Sequence, residues 1–228
     1  MSSLLPSNKN RSLLVHSLVS AFRIPSFATP DGQKCVKFLR PRRATNKELL
    51  AYHTRDYLDA YNNYEDAAQV AEFGLEDVRV LGYCCSFIIY ALTQDCPPFR
   101  GMDEYIPLVA GATLTAVEAI KDGSCNVAIC WDGGRSVAFP SPPLPCSNHF
   151  RHHAQKSHAA GFCYVADCVM AILALRRIPT SVPTQRSRVM YLDLDLHFSD
   201  AVSHAFYHPG STTVSQVLVR RLDFAWVI

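Results

Sequence analysis

The chain has 228 residues, of which 49% are hydrophobic and 18% charged, with a formal net charge of +2. This is ordinary globular composition, enough for one large or two small domains, and the near-neutral balance gives no electrostatic case for nucleic acid. Nine cysteines, an odd number with no C-x-x-C pair, fit reduced thiols in an intracellular protein. The segment from Met1 to Arg11 is polar and does not read as a secretory signal, and the apolar tract Val80–Leu92 is too short to span a bilayer.

In chain order, Ser12–Phe22 spaces its apolar residues as an amphipathic helix, ended by Pro25 and Pro30-Asp31-Gly32. Lys34–Leu39 reads as a short strand, and Arg40-Pro41-Arg42-Arg43 as a solvated loop. Thr45-Asn46-Lys47-Glu48 has the form of a capping box and starts a helix predicted to run to about Tyr52; a second helical stretch covers His53–Tyr64. Ile106–Ile120 predicts a helix whose small residues permit close packing, stopped by Asp122-Gly123. Asn126–Trp131 predicts a buried strand with a tight turn at Gly133-Gly134. Asp167–Arg177 predicts a helix with Arg176 and Arg177 complementing its C-terminal dipole.

The stretch Val189–His197 then reads as a strand in which Asp193, Asp195 and His197 share one face and Leu192, Leu194 and Leu196 the other, same-face neighbours lying roughly 6.5 Å apart. Two carboxylates and an imidazole in an apolar strand are costly to bury uncompensated, and a cation such as Zn²⁺ is the economical compensation. One acid alone would more simply mark a strand end meeting water or an arginine. Strand, helix, strand in this order is a βαβ unit, arguing for an α/β protein with a parallel sheet and ligands at the carboxyl ends of its strands. That topology brings His152-His153 towards the Asp/His triplet.

Four motifs, Trp131-Asp132-Gly133-Gly134-Arg135, His152-His153-Ala154-Gln155-Lys156, Gly161-Phe162-Cys163-Tyr164 and Asp193-Leu194-Asp195-Leu196-His197, together resemble the zinc-dependent histone deacetylases, class I members above all. Arg11–Leu18, Tyr52–Leu58 and Asp95-Cys96-Pro97 extend the resemblance, which runs in order from about Leu5 to Ser215. It implies a three-layer, parallel-sheet arginase/deacetylase-like fold, of which residues 1–215 are roughly the first half. It also implies hydrolysis of acetyl-lysine on histone tails or other proteins, in transcriptional repression.

By this resemblance Asp195 and His197 are Zn²⁺ ligands. His153 is the general base, oriented by Asp200, and His152 is its partner, bonded to Asp193. Gly161 and Phe162 line an acyl-lysine tunnel and Asp95 holds the substrate backbone. A structural K⁺ site would use Asp193, Asp195, His197 and Ser215. Cys96 and Cys163, near that tunnel, read as buried structural thiols, with a redox-sensitive pair as the other reading. Arg11 reads either as lining a channel behind the zinc or as a solvated helix N-terminus. The resemblance further implies corepressor subunits as partners, no direct nucleic-acid binding, no membrane, and the nucleus as location with the cytoplasm second.

The sequence departs from the pattern in three ways. Where the family strand end reads D-x-D-x-H-H-G-D-G, this chain has Asp195-Leu196-His197-Phe198-Ser199-Asp200-Ala201; a turn needing positive φ at the lost glycines would strain Ser199 and Ala201. Residues 78–94 and 136–151 interrupt motifs that are nearly continuous in the family, and deleting them restores it, so they read as non-family inserts, translated introns by our reading, with a lineage-specific loop or a lid as alternatives. Residues 216–228 read as a non-family tail. The third zinc ligand, the Gly-rich loop and the oxyanion tyrosine of the family have no counterpart here, so these 228 residues are expected to be inactive alone. The rival readings are a catalytically dead truncated paralogue acting as a binding module, or an enzyme acting on small acetylated amines or guanidines.

Overall fold

The structure is a computed structural model and describes residues 10–28, 30–32, 36–62, 96, 99–133, 153–177, 189–193 and 200–207. Six α-helices are described: α1 (Arg11–Ala21), α2 (Asn46–Leu49), α3 (Arg55–Asn62), α4 (Met102–Lys121), α5 (Asp167–Leu175) and α6 (Asp200–Phe206), with a 3-10 turn at Ile24–Ser26.

Helix α2 starts where the capping box places it. The Thr45 hydroxyl accepts the Glu48 amide at 3.3 Å, and the Glu48 carboxylate accepts the Thr45 amide at 2.7 Å. The helix stops at Leu49 rather than near Tyr52, and turns lead into α3. Thr54 begins α3, its hydroxyl accepting the Tyr57 amide at 3.3 Å. Helix α4 is longer than the predicted Ile106–Ile120, opening at Gly101 and closing on Asp122 with Gly123 at φ 75°. The Ser124 amide donates to the Asp122 carboxylate at 2.8 Å, which secures this stop.

Small residues on α4 let the chain cross it closely. A Cβ at Gly111 would stand 1.9 Å from the Arg42 carbonyl, and the Ala44 amide donates to the Pro107 carbonyl at 2.8 Å. The Arg40–Arg43 run is accordingly more than a solvated loop. Arg42 bridges Glu48 of the α2 cap and Glu118 of α4, at 2.6 and 2.5 Å, and Arg43 reaches Glu104 at 2.5 Å. The Arg42 guanidinium meets each carboxylate with two donors, a bidentate geometry that a lysine ammonium does not reproduce.

The main core joins α2, α3, α4 and the segment ahead of α5, with Leu49, Tyr57, Met102, Ile106, Ala110 and Ala159 at its centre. Phe99, Tyr105 and Tyr164 form an edge-to-face aromatic group with centroids 5.2–6.4 Å apart. A second cluster packs α5 and α6 around Ala154, Cys163, Cys168, Val169 and Val202.

Among the described residues there is no β-ladder, only isolated bridge residues, the antiparallel pair Ala160–Cys163 among them. Four sequence expectations about particular elements need correction. Residues 127–130 form no strand, and Val127 and Ile129 are 60% and 50% exposed; a strand is defined by its neighbours, and none of the described segments pairs with this one. Residues 36–39 likewise form no strand. Helix α1 buries only Val19, leaving Leu13, Leu14, Leu18 and Phe22 exposed, so its apolar face has no cover among the described residues. Helix α5 ends at Leu175, placing Arg176 at its C-cap and Arg177 beyond its last turn. The proposed inserts 78–94 and 136–151 and the tail 216–228 lie outside the described residues.

Candidate active site

The site is built from the segment between His153 and α5. His153 is 1% exposed, and Ala154 beside it is buried in the second core cluster. The chain then turns back, the Gln155 amide donating to the His158 carbonyl at 2.9 Å. Ala160 and Cys163 exchange both backbone hydrogen bonds, at 2.9 and 3.2 Å, across a two-residue turn. Both turn residues have positive φ, Gly161 at 56° and Phe162 at 61°, as a type I′ turn requires. Glycine meets this freely; a phenylalanine there stores strain of the kind found at ligand clamps.

Three residues of the Tyr52–Leu58 motif hold this segment in place. The Thr54 amide donates to the Lys156 carbonyl at 2.9 Å, the Tyr57 hydroxyl to the Tyr164 carbonyl at 2.6 Å, and the Ala166 amide to His53 Nε2 at 3.1 Å. Acceptance at Nε2 places the neutral ring's proton on Nδ1. Burial pushes the His53 pKa down to about 4, against the opposing pull of the Lys156 and Gln155 carbonyls. In sequence this motif is legible only as a family match, because His53 lies ahead of α3 and its partners are about a hundred positions away.

Asp167 is buried at the first turn of α5 and accepts the Thr113 hydroxyl of α4 at 2.7 Å. Gly133 closes over this pair: a Cβ there would stand 2.5 Å from both Asp167 Oδ2 and Thr113 Oγ1. The glycine at the predicted turn is thus required by close approach of α4 and α5. Burial raises the Cys130 thiol pKa, and the Thr113 hydroxyl lies 3.7 Å from its sulfur.

Residues 189–193 run beside α5 and α6. Val189 and Tyr191 pack on the second cluster and Met190 is exposed, the alternation expected for this stretch. The Tyr191 hydroxyl donates to the Asp193 carboxylate at 2.9 Å, placing both side chains on one side. Cys168, fully buried nearby, has its thiol pKa raised by burial first, then by Asp167, Cys163 and Asp193. Ala154, next to His153, and Ala201, next to Asp200, line one small crevice of about 10 Å³ with Cys163 and Cys168. The structure therefore brings the His153 segment, the Gly161-Phe162 turn and the start of α6 at Asp200 to one place. Ala201 is helical and buried rather than strained, because it enters α6 directly instead of a glycine turn.

Cys96 and Cys163 are buried, with Cys96 Sγ 3.9 Å from the Cys163 carbonyl. Arg11 stands at the start of α1 with Nη1 buried. His152, Asp95, Asp195, His197 and Ser215 lie outside the described residues, as does the side chain of Asp200. Among the described residues no group of three His, Cys, Asp or Glu side chains is arranged to hold a metal ion. No helix among them is long and apolar enough to cross a membrane.

The segment after His153, the segment that bears Asp193 and the start of α6 thus pack on one buried cluster. Residues 5–219 match the histone deacetylase domain. The chain belongs to the histone deacetylase domain family, whose fold is of the arginase/deacetylase type. It is 35% identical over 202 residues to histone deacetylase 8 of Danio rerio, covering 86% of this chain and 41% of that protein. It is 34% identical over 196 residues to histone deacetylase 8 of Xenopus tropicalis, covering 86% and 42%. It is 30% identical over 202 residues to histone deacetylase 2 of Oryza sativa, covering 89% and 32%. The chain thus spans about two fifths, or less, of the length of these relatives.

Proposed function

We propose that these residues form part of a zinc-dependent protein-lysine deacetylase that hydrolyses acetyl-lysine on histone tails or other proteins. The observation that carries this reading is the shared crevice: the residues following His153 and Asp200 meet there, beside the segment that bears Asp193. In this reading Asp195 and His197 hold Zn²⁺, which when bound polarises the acetyl carbonyl and acidifies a water. His153 would serve as general base toward the attacking water, its tautomer set by Asp200, with His152 supported by Asp193. Gly161 and Phe162 face the acyl-lysine chain, and Asp95 holds the substrate backbone. A K⁺ at Asp193, Asp195, His197 and Ser215 would be structural. Residues 1–215 are the family portion of a three-layer parallel-sheet fold, with 78–94 and 136–151 as inserts and 216–228 as a tail. Corepressor subunits are the partners, the nucleus is the principal location, and direct nucleic-acid and membrane binding play no part.

The deacetylase reading itself is tested by joining these residues, without 78–94 and 136–151, to the C-terminal portion of the Danio rerio relative. Zinc-dependent deacetylation that His153→Ala abolishes is the expected result; a folded chimera that binds zinc but does not deacetylate would refute it.

One observation favours a binding module as the second reading: α1 exposes Leu13, Leu14, Leu18 and Phe22 together. A chain that captures corepressor subunits while binding no zinc would support it.

A further inference from the structure

We propose that His53 is a positioning residue for the candidate site: its imidazole fixes the 153–166 segment, and with it His153 and the Gly161-Phe162 turn, by accepting the Ala166 amide. The proposal rests on the deacetylase reading for its consequence but on the geometry alone for its substance.

His53 is 2% exposed and sits between α2 and α3. Its Nε2 takes the amide of the residue immediately before α5, 113 positions away, at 3.1 Å. That amide belongs to the N-terminal end of a helix and has no intrahelical acceptor, so the imidazole supplies one. The ring packs 5.1 Å from Tyr57, whose hydroxyl holds Tyr164 two residues earlier in the same segment. The next residue, Thr54, holds Lys156, three residues after His153. His53 therefore acts beside two near neighbours that clamp both arms of the loop, and it fixes the point where the loop enters α5. An apolar residue of the same size would fill the space and leave the Ala166 amide buried without this acceptor. Because the ring is neutral and its Nε2 is an acceptor, glutamine, whose amide oxygen reaches a similar position, is the conservative replacement.

The test is NMR on the full chain with His53→Gln and His53→Leu. In the wild type, the His53 nitrogen shifts should show the Nδ1–H tautomer, and the Ala166 amide should be protected from exchange. His53→Leu should lower protection of Ala166 by about tenfold or more and shift the His153 ring resonance, while α4 amides keep their protection. His53→Gln should restore both signals. An unchanged His153 resonance and unchanged Ala166 protection in His53→Leu would overturn the proposal, and so would loss of protection spread equally through α4. If His53→Leu does not fold, His53→Gln decides: wild-type signals support the proposal and displaced ones refute it. None of these readouts needs turnover, so failure of the deacetylase reading and failure of this one are distinguishable.

Discussion

The Thr113 hydroxyl donates to the Asp167 carboxylate across the α4–α5 interface, and Gly133 lies so close that a single added carbon would strike both partners. Three segments far apart in sequence thus depend on one buried polar contact. Thr113→Ala should cost about 1–3 kcal/mol, the range for depriving a buried polar group of a partner. Gly133→Ala should cost about as much through overpacking. Because Thr113→Ala removes one of the two atoms the new Cβ would meet, the double variant should lose less than the sum. Urea unfolding midpoints of the four proteins measure this coupling.

Tyr57→Phe removes only the hydroxyl that holds the Tyr164 carbonyl at 2.6 Å in the core. The expected loss is about 1–3 kcal/mol of unfolding free energy, with little change in the denaturant slope. An unaltered midpoint would mean that the contact contributes nothing net.

His53 gives a pH dependence with a definite sign. Its folded pKa, about 4, lies below the ordinary value of 6.5, so the unfolded chain binds the proton more readily. The stability it contributes is fully present above pH 6.5 and is lost as pH falls from there towards 4. The full loss is about 3 kcal/mol as an order of magnitude. Unfolding curves between pH 7 and 4 should therefore be steeper in pH for the wild type than for His53→Leu.

Gly161 occupies the first position of the positive-φ turn, at φ 56°. Gly161→Ala should destabilise by about 1 kcal/mol through the left-handed backbone alone. Phe162→Gly should relieve strain at φ 61° while loosening the turn. Thermal melts of both, with exchange rates for the Ala160 and Cys163 amides, separate the two effects.

Arg42 should resist conservative replacement. Arg42→Lys keeps the charge but cannot fork to Glu48 and Glu118 together. A loss of about 0.5–1 kcal/mol is expected, since the group is partly solvated, and it should shrink in high salt.

What could be read from the residues alone is what neighbours in sequence decide. The capping box at Thr45 and Glu48, the stop at Asp122-Gly123, the presence of the long helix and the alternation at Val189–Tyr191 all depend on contacts within a few positions. The family was legible too, because its motifs recur as ordered strings of residues. Tertiary structure decided the rest. It made Arg42 a clamp over 76 positions and His53 an acceptor over 113, and it required Gly133 because two helices meet beneath it. It also left Val127 and Ile129 exposed where a buried strand was predicted, since no local pattern records which segment will lie alongside. At the D-x-D-x-H stretch, sequence determined the inventory of acids and imidazole. Only the fold packed Val189 and Tyr191 against the α5–α6 cluster, because burial and partnership belong to the packed chain and not to the residue.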